Sequence, residues 1–497
     1  MNYDYTVIGG GVSGMTSALI LAKHGYSVAL VEKSGQIAPT IRGFTRKGLF
    51  FDTGFHYTGG LGKGEPLDVL FRYLGLSDHI NVRLFDKNGF DSFRCLDPRF
   101  EFDFPYGYDS LRERFHGAFP DDKGAVDDYF RAVREIYASL PYVDLDSSRE
   151  PAALSSVHGP SLKGFLDGLT GNDLLKCVLS MHCFLYGVPP EETPFTQHAC
   201  IAGSYYESAS GIEGGGLSLT KAFEARLEKT GVAVYCGQEV KKIHVSGDGA
   251  VSGISLERGT AFGCSGCISA VHPHQLLRMV PESVFRPAYV NRLRHLDETT
   301  SACMLYATCS EPIKCLDRSN LFIFPHADFS FFHGDSPIEG QPLYITAAGD
   351  NGASGKHGFV AICPMPAAQT RRWEDSVSGK RPEGYSLFKN EMAERVRRSI
   401  EASCPEIAGK ITDMEFATPL TLRDYTNSPY GSIYGVKHKV GQYNPIPMTR
   451  LSGLYLAGQA IVAPGIMGAV MSGFLACENI FGRDHLKEEL KACRPEG

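Results

Sequence analysis

The sequence predicts an α/β fold that opens with a Rossmann-type unit. Two observations predict it. Residues 3–33 follow the order strand, glycine turn, helix and strand, and residues 451–482 close the chain with another short strand and helix. At 497 residues the chain is also long enough for two or more domains.

The turn of the opening unit has the spacing of a nucleotide-binding loop. Residues 5–8 are an apolar, β-branched run typical of a buried parallel strand. The pattern Gly9-x-Gly11-x-x-Gly14 follows at once. In this pattern the first glycine permits a tight turn, the second lets the backbone approach a pyrophosphate, and the third lets the helix lie on the strand.

An acidic residue completes the unit. The second strand, residues 26–31, ends at Glu32, which is placed to accept hydrogen bonds from ribose hydroxyls. The helix N-terminus, at Val12 and Ser13, offers N–H groups and a partial positive charge to phosphates. A carboxylate at Glu32 disfavours the 2′-phosphate of NADP, so FAD and NAD remain.

The rest of the chain narrows the class of enzyme. It contains no second glycine fingerprint, which an enzyme holding FAD and NAD in two such folds should have. The first cysteine is Cys95, so no redox dithiol follows the nucleotide unit, and a pyridine-nucleotide disulfide reductase is disfavoured. Cys264 and Cys267 lie in an expected strand and predict a buried structural pair rather than a zinc site.

The closing segment predicts a second helix whose N-terminus is open to a ligand. Residues 454–457 read as a short buried strand, Gly458 and Gln459 as a turn, and a helix begins after residues 464–465. One face of that helix carries only small residues at three- and four-residue spacing, which permits close approach to a flat group or a backbone. Its free N–H groups suit the partly anionic pyrimidine edge of a reduced flavin. A tightly packed core helix without a ligand remains the alternative.

Composition excludes some partners. The net charge of -7 disfavours nucleic acid, because phosphate binding needs a basic face. No secretory signal is present, which favours a cytoplasmic location. No run of apolar residues is long enough to cross a membrane, and residues 174–188 and 460–477 are predicted to be interior helices. Peripheral membrane contact stays open.

Three segments together resemble a known family. They are the opening unit with Glu32 and Lys33, the stretch FDTGFHYTGG (51–60), and the closing GLYLAGQ and PGIMGAV (453–459 and 464–470). They are similar to the FAD-dependent phytoene desaturase, carotenoid isomerase and retinol saturase group, and most similar to its isomerase and saturase branch. YGSIYGVKH (430–438) is also similar to that branch.

The resemblance implies a domain plan. A discontinuous, glutathione-reductase-like FAD-binding domain would comprise residues 1–120, 210–290 and 415–497. An inserted α+β substrate domain would comprise residues 121–209 and 291–414.

The resemblance also implies where FAD is bound. Gly54 lets the backbone pass against the isoalloxazine ring in the family, and the strand around Val240 meets the adenine. Relatives carry Gly-Gly where this chain has Ala38 and Pro39, so the path of residues 38–42 is in question, with Arg42 able to balance phosphate charge. The residues predicted to bind FAD are Gly9, Gly11, Val12, Ser13, Gly14, Glu32, Lys33, Thr40, Arg42, Gly54, Val240, Gly458, Gln459, Gly465, Ile466, Gly468 and Ala469.

The implied activity is that of an FAD-dependent oxidoreductase on carbon-carbon double bonds of an apolar polyene or isoprenoid lipid. A hydride would move between flavin N5 and a substrate carbon in an apolar tunnel. His56 and Tyr57, expected at the reactive edge of the flavin, are the predicted catalytic residues and proton donors. Saturation or cis–trans isomerisation is favoured over desaturation, with an external electron carrier or quinone as the redox partner. A flavin amine oxidase and a non-enzymatic prenyl-lipid-binding relative are the alternatives.

Aromatic segments and histidines complete the predictions. Residues 321–334 and 182–187 are rich in aromatic side chains and are candidates for the tunnel wall. His182, His272 and His274 have no ligand constellation around them in the sequence, so no metal site is predicted.

Overall fold

The computed structural model describes residues 1–147, 159–329, 337–348 and 355–495. Within these ranges, fourteen α-helices surround two large sheets. The helices are α1 (Val12–Lys23), α2 (Pro66–Leu74), α3 (Tyr108–Ala118), α4 (Lys123–Ala138), α5 (Leu162–Leu169), α6 (Asp173–Ser180), α7 (Phe195–Glu207), α8 (Gly215–Lys229), α9 (Pro273–Met279), α10 (Pro287–Arg294), α11 (Glu383–Ser403), α12 (Pro419–Thr426), α13 (Gly465–Phe481) and α14 (Arg483–Lys491).

The same ranges contain twenty strands. They are β1 (Tyr5–Ile8), β2 (Val28–Val31), β3 (Phe44–Arg46), β4 (Leu49–Phe51), β5 (Thr58–Gly59), β6 (Val82–Leu84), β7 (Asp91–Asp97), β8 (Phe100–Phe104), β9 (Ala209–Ile212), β10 (Ala233–Tyr235), β11 (Val240–Val245), β12 (Val251–Leu256), β13 (Ala261–Gly263), β14 (Gly266–Ser269), β15 (Ala302–Cys309), β16 (Asn320–His326), β17 (Leu343–Ala347), β18 (His357–Pro364), β19 (Ile411–Ala417) and β20 (Leu454–Leu456).

A five-stranded parallel sheet forms the predicted Rossmann-type core. Its order is β10-β2-β1-β14-β20, and every neighbouring pair is parallel. Tyr5 is in register with Val28 on one side and with Gly266 on the other. β1 and β2 are almost completely buried, as apolar parallel strands covered on both faces should be. The α/β fold is confirmed, and both ends of the chain contribute to one sheet.

A seven-stranded mixed sheet forms the second layer. Its order is β19-β15-β18-β17-β16-β7-β8, with β16 and β7 parallel and the other pairs antiparallel. α11 covers one face through Met392, Val396 and Ile400, which belong to the same buried cluster as Leu305 and Ile345 of the sheet. Smaller sheets, β11-β12-β13 and β5-β9-β6, lie outside these two layers.

The sheets divide the chain differently from the predicted domain plan. β7 and β8 lie within residues 1–120, yet they pair with the mixed sheet rather than the parallel one. The cause is that Asn320 to Phe324 of β16 pair in register with Asp91 to Cys95 of β7, which extends the mixed sheet by two strands. The other FAD-domain pieces, through β10, β14 and β20, do join the parallel sheet.

Three local predictions can be compared directly. Residues 174–188 form α6 and a following 3-10 turn, Met181–Leu185, both largely buried, and α13 begins at Gly465 within the predicted segment 460–477. Cys264 and Cys267 are buried free thiols. Phe322 and Phe324 of the aromatic segment are fully buried in β16, while residues 330–334 lie outside the described ranges. No described helix combines the length and apolar character needed to span a bilayer.

Candidate cofactor and active site

The glycine turn after β1 contains two kinds of glycine. Gly9 and Gly14 are required by close packing, whereas Gly11 faces open space. A Cβ at Gly14 would lie 1.9 Å from the Gly9 carbonyl oxygen, so α1 can lie this close only with glycine there. Gly9 has a φ of +103° and a Cβ there would lie 3.0 Å from Ala270 O. A Cβ at Gly11 would meet no atom of the described residues within 4 Å. The free face at Gly11, beside the first-turn amides at Val12 and Ser13, is the space that a pyrophosphate requires.

Glu32 lies beside the same turn. Its carboxylate accepts the Gly10 N–H at 2.6 Å through Oε2 and the Ser34 N–H at 2.7 Å through Oε1. The residue is 8% exposed, so the charge is held at the sheet edge where a ribose would lie. Lys33, also predicted to bind the cofactor, instead points to the surface, with its ammonium 3.6 Å from Glu239.

The second predicted ligand segment follows β20. Gly458 has a φ of +124° and Gly465 a φ of +89°, and a Cβ at either would meet no atom of the described residues within 4 Å. Gly468 is different, because its Cβ would lie 2.2 Å from Ala463 O. The turn at Gly458 is held by its N–H, which donates to Ser472 Oγ at 2.9 Å. The remaining predicted residues here are Gln459 in the turn and Ile466 and Ala469 in the first turns of α13.

α1 and α13 lie side by side and run in the same direction. Ser472 Oγ donates to Ser13 Oγ at 3.1 Å, and Cys477 Sγ lies 3.8 Å from Ser17 O. α13 therefore begins about six residues, or roughly 9 Å, ahead of α1. The two N-termini lie staggered at the carboxyl edge of the parallel sheet, an arrangement that suits an elongated dinucleotide with phosphates at one end and a second anionic group at the other.

The loop where the family glycines are missing keeps a glycine-like conformation. Ala38 is fully buried with a φ of +54°, and its N–H donates to Gly10 O at 2.8 Å. The loop therefore runs against the nucleotide turn despite the substitution, at the cost of a strained alanine. Arg42 pairs with Glu224, and its Nε donates to Ile37 O at 3.3 Å. Val240 begins β11 and belongs to the buried cluster that contains Ile8 and Val31.

The stretch FDTGFHYTGG follows β4 and contacts this loop. A Cβ at Gly54 would lie 2.5 Å from Thr40 O, and Thr53 Oγ1 donates to the same carbonyl at 2.9 Å. The glycine is thus required by the neighbouring backbone, whether or not a ring lies beside it. The next residues diverge, because His56 lines a pocket and Tyr57 points into the core.

Tyr57 belongs to a buried cluster centred on Asp91. Its hydroxyl donates to Asp91 Oδ2 at 2.8 Å, and His182 Nε2 lies 3.1 Å from the same oxygen. Asn320 Nδ2 donates to Asp91 Oδ1 at 2.8 Å, and Asn320 Oδ1 accepts from the Tyr344 hydroxyl at 3.3 Å. We name these five residues the Asp91 cluster. Tyr57 is predicted to be catalytic at the reactive edge of the flavin, and in the structure its hydroxyl is engaged with the buried Asp91 carboxylate.

The pocket beside His56 is small and polar. Asp52, His56, Arg83, Phe85, Ser319 and Thr346 are among its lining residues. His56 Nε2 is buried and has no hydrogen-bond partner among the described residues. The pocket lies between the loop after β4, the small sheet through Arg83 of β6 and Ile212 of β9, and β17 of the mixed sheet.

Burial changes the protonation of both groups in this pocket. It raises the pKa of Asp52 to about 7, although the Gly216 N–H, donated to Asp52 Oδ1 at 2.7 Å, opposes the shift. It lowers the pKa of His56 to about 4, so the ring is neutral at neutral pH. Of the two groups, Asp52 has the pKa nearer to neutral pH.

Sequence reasoning did not identify Asp52, Arg83 or Asp91. Asp52 lies inside the quoted stretch, and a carboxylate next to a glycine loop was a usable signal. Asp91 carries no local signal, because its partners come from three distant segments of the chain.

Comparison with known proteins agrees with this geometry. The model of the family described as flavin containing amine oxidoreductase matches residues 12–481. The chain belongs to this family. The prediction of FAD as cofactor is confirmed, as is that of a flavin-dependent oxidoreductase. The open faces at Gly11, Gly458 and Gly465 fit such a dinucleotide.

Individual relatives extend over almost the whole chain. Human all-trans-retinol 13,14-reductase is 23% identical over 98% of this chain and 87% of its own length. The 4,4'-diapolycopene oxygenase of Methylomonas sp is 21% identical over 96% of this chain and 98% of its own. Among solved structures, an oxidoreductase from Methanosarcina mazei superposes with a TM-score of 0.68 at 16% identity, over 95% of this chain and 99% of that one, which shows a shared fold.

The two glycines of the turn predict opposite outcomes. Gly11→Ala should fold normally, because its φ of -75° suits alanine and its Cβ is free of protein contacts, yet the methyl group should occupy the phosphate space and abolish flavin retention. Gly14→Ala should lower the free energy of unfolding by about 1–3 kcal/mol or more, because its Cβ would collide with the Gly9 carbonyl oxygen. Urea unfolding and the flavin-to-protein absorbance ratio measure both effects. A Gly11→Ala protein that retains full flavin would contradict the assignment of this space.

Tyr57→Phe tests the Asp91 cluster. Removing a donor to a buried carboxylate should lower the free energy of unfolding by about 1.5–3 kcal/mol, with flavin content unchanged. Tyr425→Phe, at a tyrosine that is 68% exposed, is the matched control and should change stability little. Equal stabilities of the two variants would show that the Asp91 bond contributes nothing to folding.

Proposed function

We propose that the chain is an FAD-dependent oxidoreductase acting on carbon-carbon double bonds of an apolar polyene or isoprenoid lipid, with saturation or cis–trans isomerisation favoured over desaturation. The observation that carries the proposal is the match, over nearly the whole chain, to enzymes whose names specify a retinoid and a carotenoid. Bound FAD supplies the two-electron chemistry, and this chain's residues orient the substrate, exclude water and manage the proton.

Aromatic rings between the two layers support an apolar substrate. Tyr57 stacks on Phe85 with ring centroids 5.5 Å apart, and on Tyr344 at 6.4 Å. Phe322 packs against Tyr344 at 4.9 Å and against Phe184 at 6.0 Å. Phe85 lines the His56 pocket, and the other rings are buried behind it toward β16, where they hold this apolar side of the pocket in place.

The proton that saturation requires is assigned to Asp52. Saturation adds a hydride to one carbon and a proton to the other, so an acid must lie in the pocket. The pKa of Asp52, raised by burial to about 7, keeps much of the carboxyl protonated at neutral pH. The pKa of His56, lowered to about 4, leaves its ring neutral and suited to hydrogen bonding rather than proton donation. His56 is therefore proposed as a positioning residue and Asp52 as the acid.

The same pocket argues against the amine oxidase alternative. Arg83 contributes a positive charge to the pocket, while the Asp52 carboxyl is largely uncharged below pH 7. Such a pocket repels an ammonium substrate and provides no carboxylate partner for it. The non-enzymatic alternative is disfavoured by the open faces at Gly11 and Gly465, which a protein that binds no flavin would not need.

The redox partner is proposed to be external. A single glycine fingerprint leaves no second nucleotide fold for a pyridine nucleotide, so a soluble carrier or a quinone would exchange electrons with the flavin. Peripheral membrane contact would bring the enzyme to an apolar substrate. Tyr430, Ile446 and Met448, each more than half exposed, lie in one segment and are the residues that such contact would use.

Re-oxidation of the reduced enzyme tests the substrate class. The purified protein should be yellow, and after anaerobic photoreduction a retinoid or carotenoid should restore the oxidised flavin spectrum while yielding a dihydro product. Unsaturated fatty acids and imines serve as comparison substrates, and free reduced FAD with the same polyenes is the control. Re-oxidation by an imine but by no polyene would overturn the proposal in favour of an amine oxidase.

Asp52→Asn tests the acid. The amide still accepts the Gly216 N–H, so folding and flavin binding should persist, while polyene reduction should fall about 10²–10⁴-fold. In the unchanged protein the active form is the protonated carboxyl. Its rate should therefore be constant below pH 6 and fall about tenfold per pH unit above about 7. His56→Gln is the paired variant, and it should lower the rate without moving this profile. An Asp52→Asn enzyme with the original rate and profile would assign the proton to another group.

A further inference from the structure

Two histidines that the sequence left without partners converge on a glutamate in the structure. His272 Nε2, His274 Nε2 and Glu298 Oε1 all lie within 4.8 Å of one another, with His272 Nε2 2.8 Å from Glu298 Oε1. Each of these atoms is buried and makes no aligned hydrogen bond with the described residues. His272 Nε2 and Glu298 Oε1 lie in contact with each other, and His274 Nε2 beside them has no hydrogen-bond partner among the described residues, so the three side chains leave room to bind a cation.

Hydrogen bonds to neighbouring residues orient two of the three side chains, Glu298 and His274, so that one atom of each stays available to a ligand. Ser432 Oγ donates to Glu298 Oε2 at 2.9 Å, which leaves Oε1 free. The Leu293 backbone carbonyl accepts from the His274 ring, so the other ring nitrogen carries the lone pair. A carboxylate and an imidazole fixed in this way are typical of metal ligands.

His272 is the ligand that must adjust. Its Nδ1 accepts the His274 N–H at 3.2 Å, at the long end of hydrogen-bond distances. With a cation on Nε2 the ring proton moves to Nδ1, and this capping bond is lost. The cost is one weak bond at the N-terminus of α9.

We propose that His272, His274 and Glu298 bind a divalent cation of the Zn²⁺ class. Two imidazole nitrogens and one carboxylate oxygen suit Zn²⁺ and its neighbours better than Mg²⁺ or Ca²⁺, which prefer oxygen ligands. A fourth position is left for water. The site goes beyond the redox activity, since its ligands include none of the residues placed in the pocket.

The position of the site indicates a structural role. His272 and His274 follow β14 of the parallel sheet, whereas Glu298 lies just before β15 of the mixed sheet and bridges Val436. A cation would therefore join the two layers. A Cβ at Gly435 would lie 3.0 Å from Gln459 Nε2 and 3.9 Å from His272 Cδ2, which places the cluster beside the turn at Gly458. Bound metal should stiffen that turn.

The chain offers a matched control in a second cluster of the same residue types, His24, His485 and Glu489. There Glu489 Oε2 already accepts the Tyr73 hydroxyl at 2.7 Å, His24 stacks on Phe481 at 3.9 Å, and His485 is 56% exposed. These ligands are engaged or solvated, so this cluster should bind zinc weakly.

The test uses the flavin-loaded protein after dialysis against chelator. Calorimetric titration with Zn²⁺ should show one site per chain, and zinc should raise the melting temperature. His274→Ala and Glu298→Gln should each weaken binding by about 100-fold or more, Ser432→Ala by about tenfold, and His485→Ala not at all. Affinity should fall with falling pH as protons compete for the imidazoles.

Flavin absorbance and circular dichroism confirm that each variant is folded, and Glu298→Gln preserves the shape of the side chain if His274→Ala does not fold. Co²⁺ gives an independent measurement through d–d absorption to the red of the flavin bands. The proposal is overturned if the wild-type protein takes up no Zn²⁺ at micromolar concentrations. It is equally overturned if Glu298→Gln binds as tightly as wild type, or if His485→Ala removes the binding.

Discussion

The close contact between α1 and α13 is the constraint on which the cofactor side of the molecule depends. A Cβ at Gly473 would lie 2.8 Å from Thr16 Cγ2 and 3.1 Å from Ser13 O, so only glycine permits this approach. Because the helices are parallel and staggered, two helix N-termini face the same edge of the sheet at different heights. A dinucleotide can contact both only if this spacing is kept, which explains why residues from opposite ends of the chain must pack so tightly.

The parts of the fold that sequence could predict are those with a local physical signal. The run at 5–8, the glycine spacing and the small face of α13 each reflect a periodicity or a backbone requirement, and each is present in the structure. The role of each individual glycine was harder to predict from the sequence. Gly54 was expected to make room for a ring, but Thr40 O lies where its Cβ would be. At Ala38, where relatives carry glycine, the buried alanine takes a positive φ and the loop stays hydrogen-bonded to Gly10 of the nucleotide turn.

Protonation could not be predicted from residue type. A histidine and a tyrosine are the usual candidates for proton donation near pH 7, and both stand in a stretch that resembles the family. Burial reverses this expectation. It disfavours the charged form of any group, so it raises the pKa of an acid and lowers the pKa of a base. The carboxyl of Asp52 gains the working pKa, and the imidazole of His56 loses it. The proposed role of Asp52 as the acid therefore depends on the cavity around it, whose lining residues come from several segments of the chain.

Two buried polar clusters differ in how many of their polar atoms have hydrogen-bond partners, and this difference distinguishes a structural cluster from a ligand-binding one. At Asp91, the Tyr57 hydroxyl and the Asn320 amide donate to the carboxylate and His182 Nε2 contacts it, so the carboxylate is satisfied and Tyr57 is fixed, although His182 Nδ1 has no partner among the described residues. At Glu298, one oxygen is satisfied by Ser432 and the other faces two imidazole nitrogens that also lack aligned partners. The Asp91 carboxylate recovers its desolvation cost from hydrogen bonds to described protein atoms, whereas Glu298 Oε1 makes no aligned hydrogen bond with them. The unmet bonds of the second are what an ion would supply, and that difference rests on geometry that the sequence spreads over segments on either side of α10.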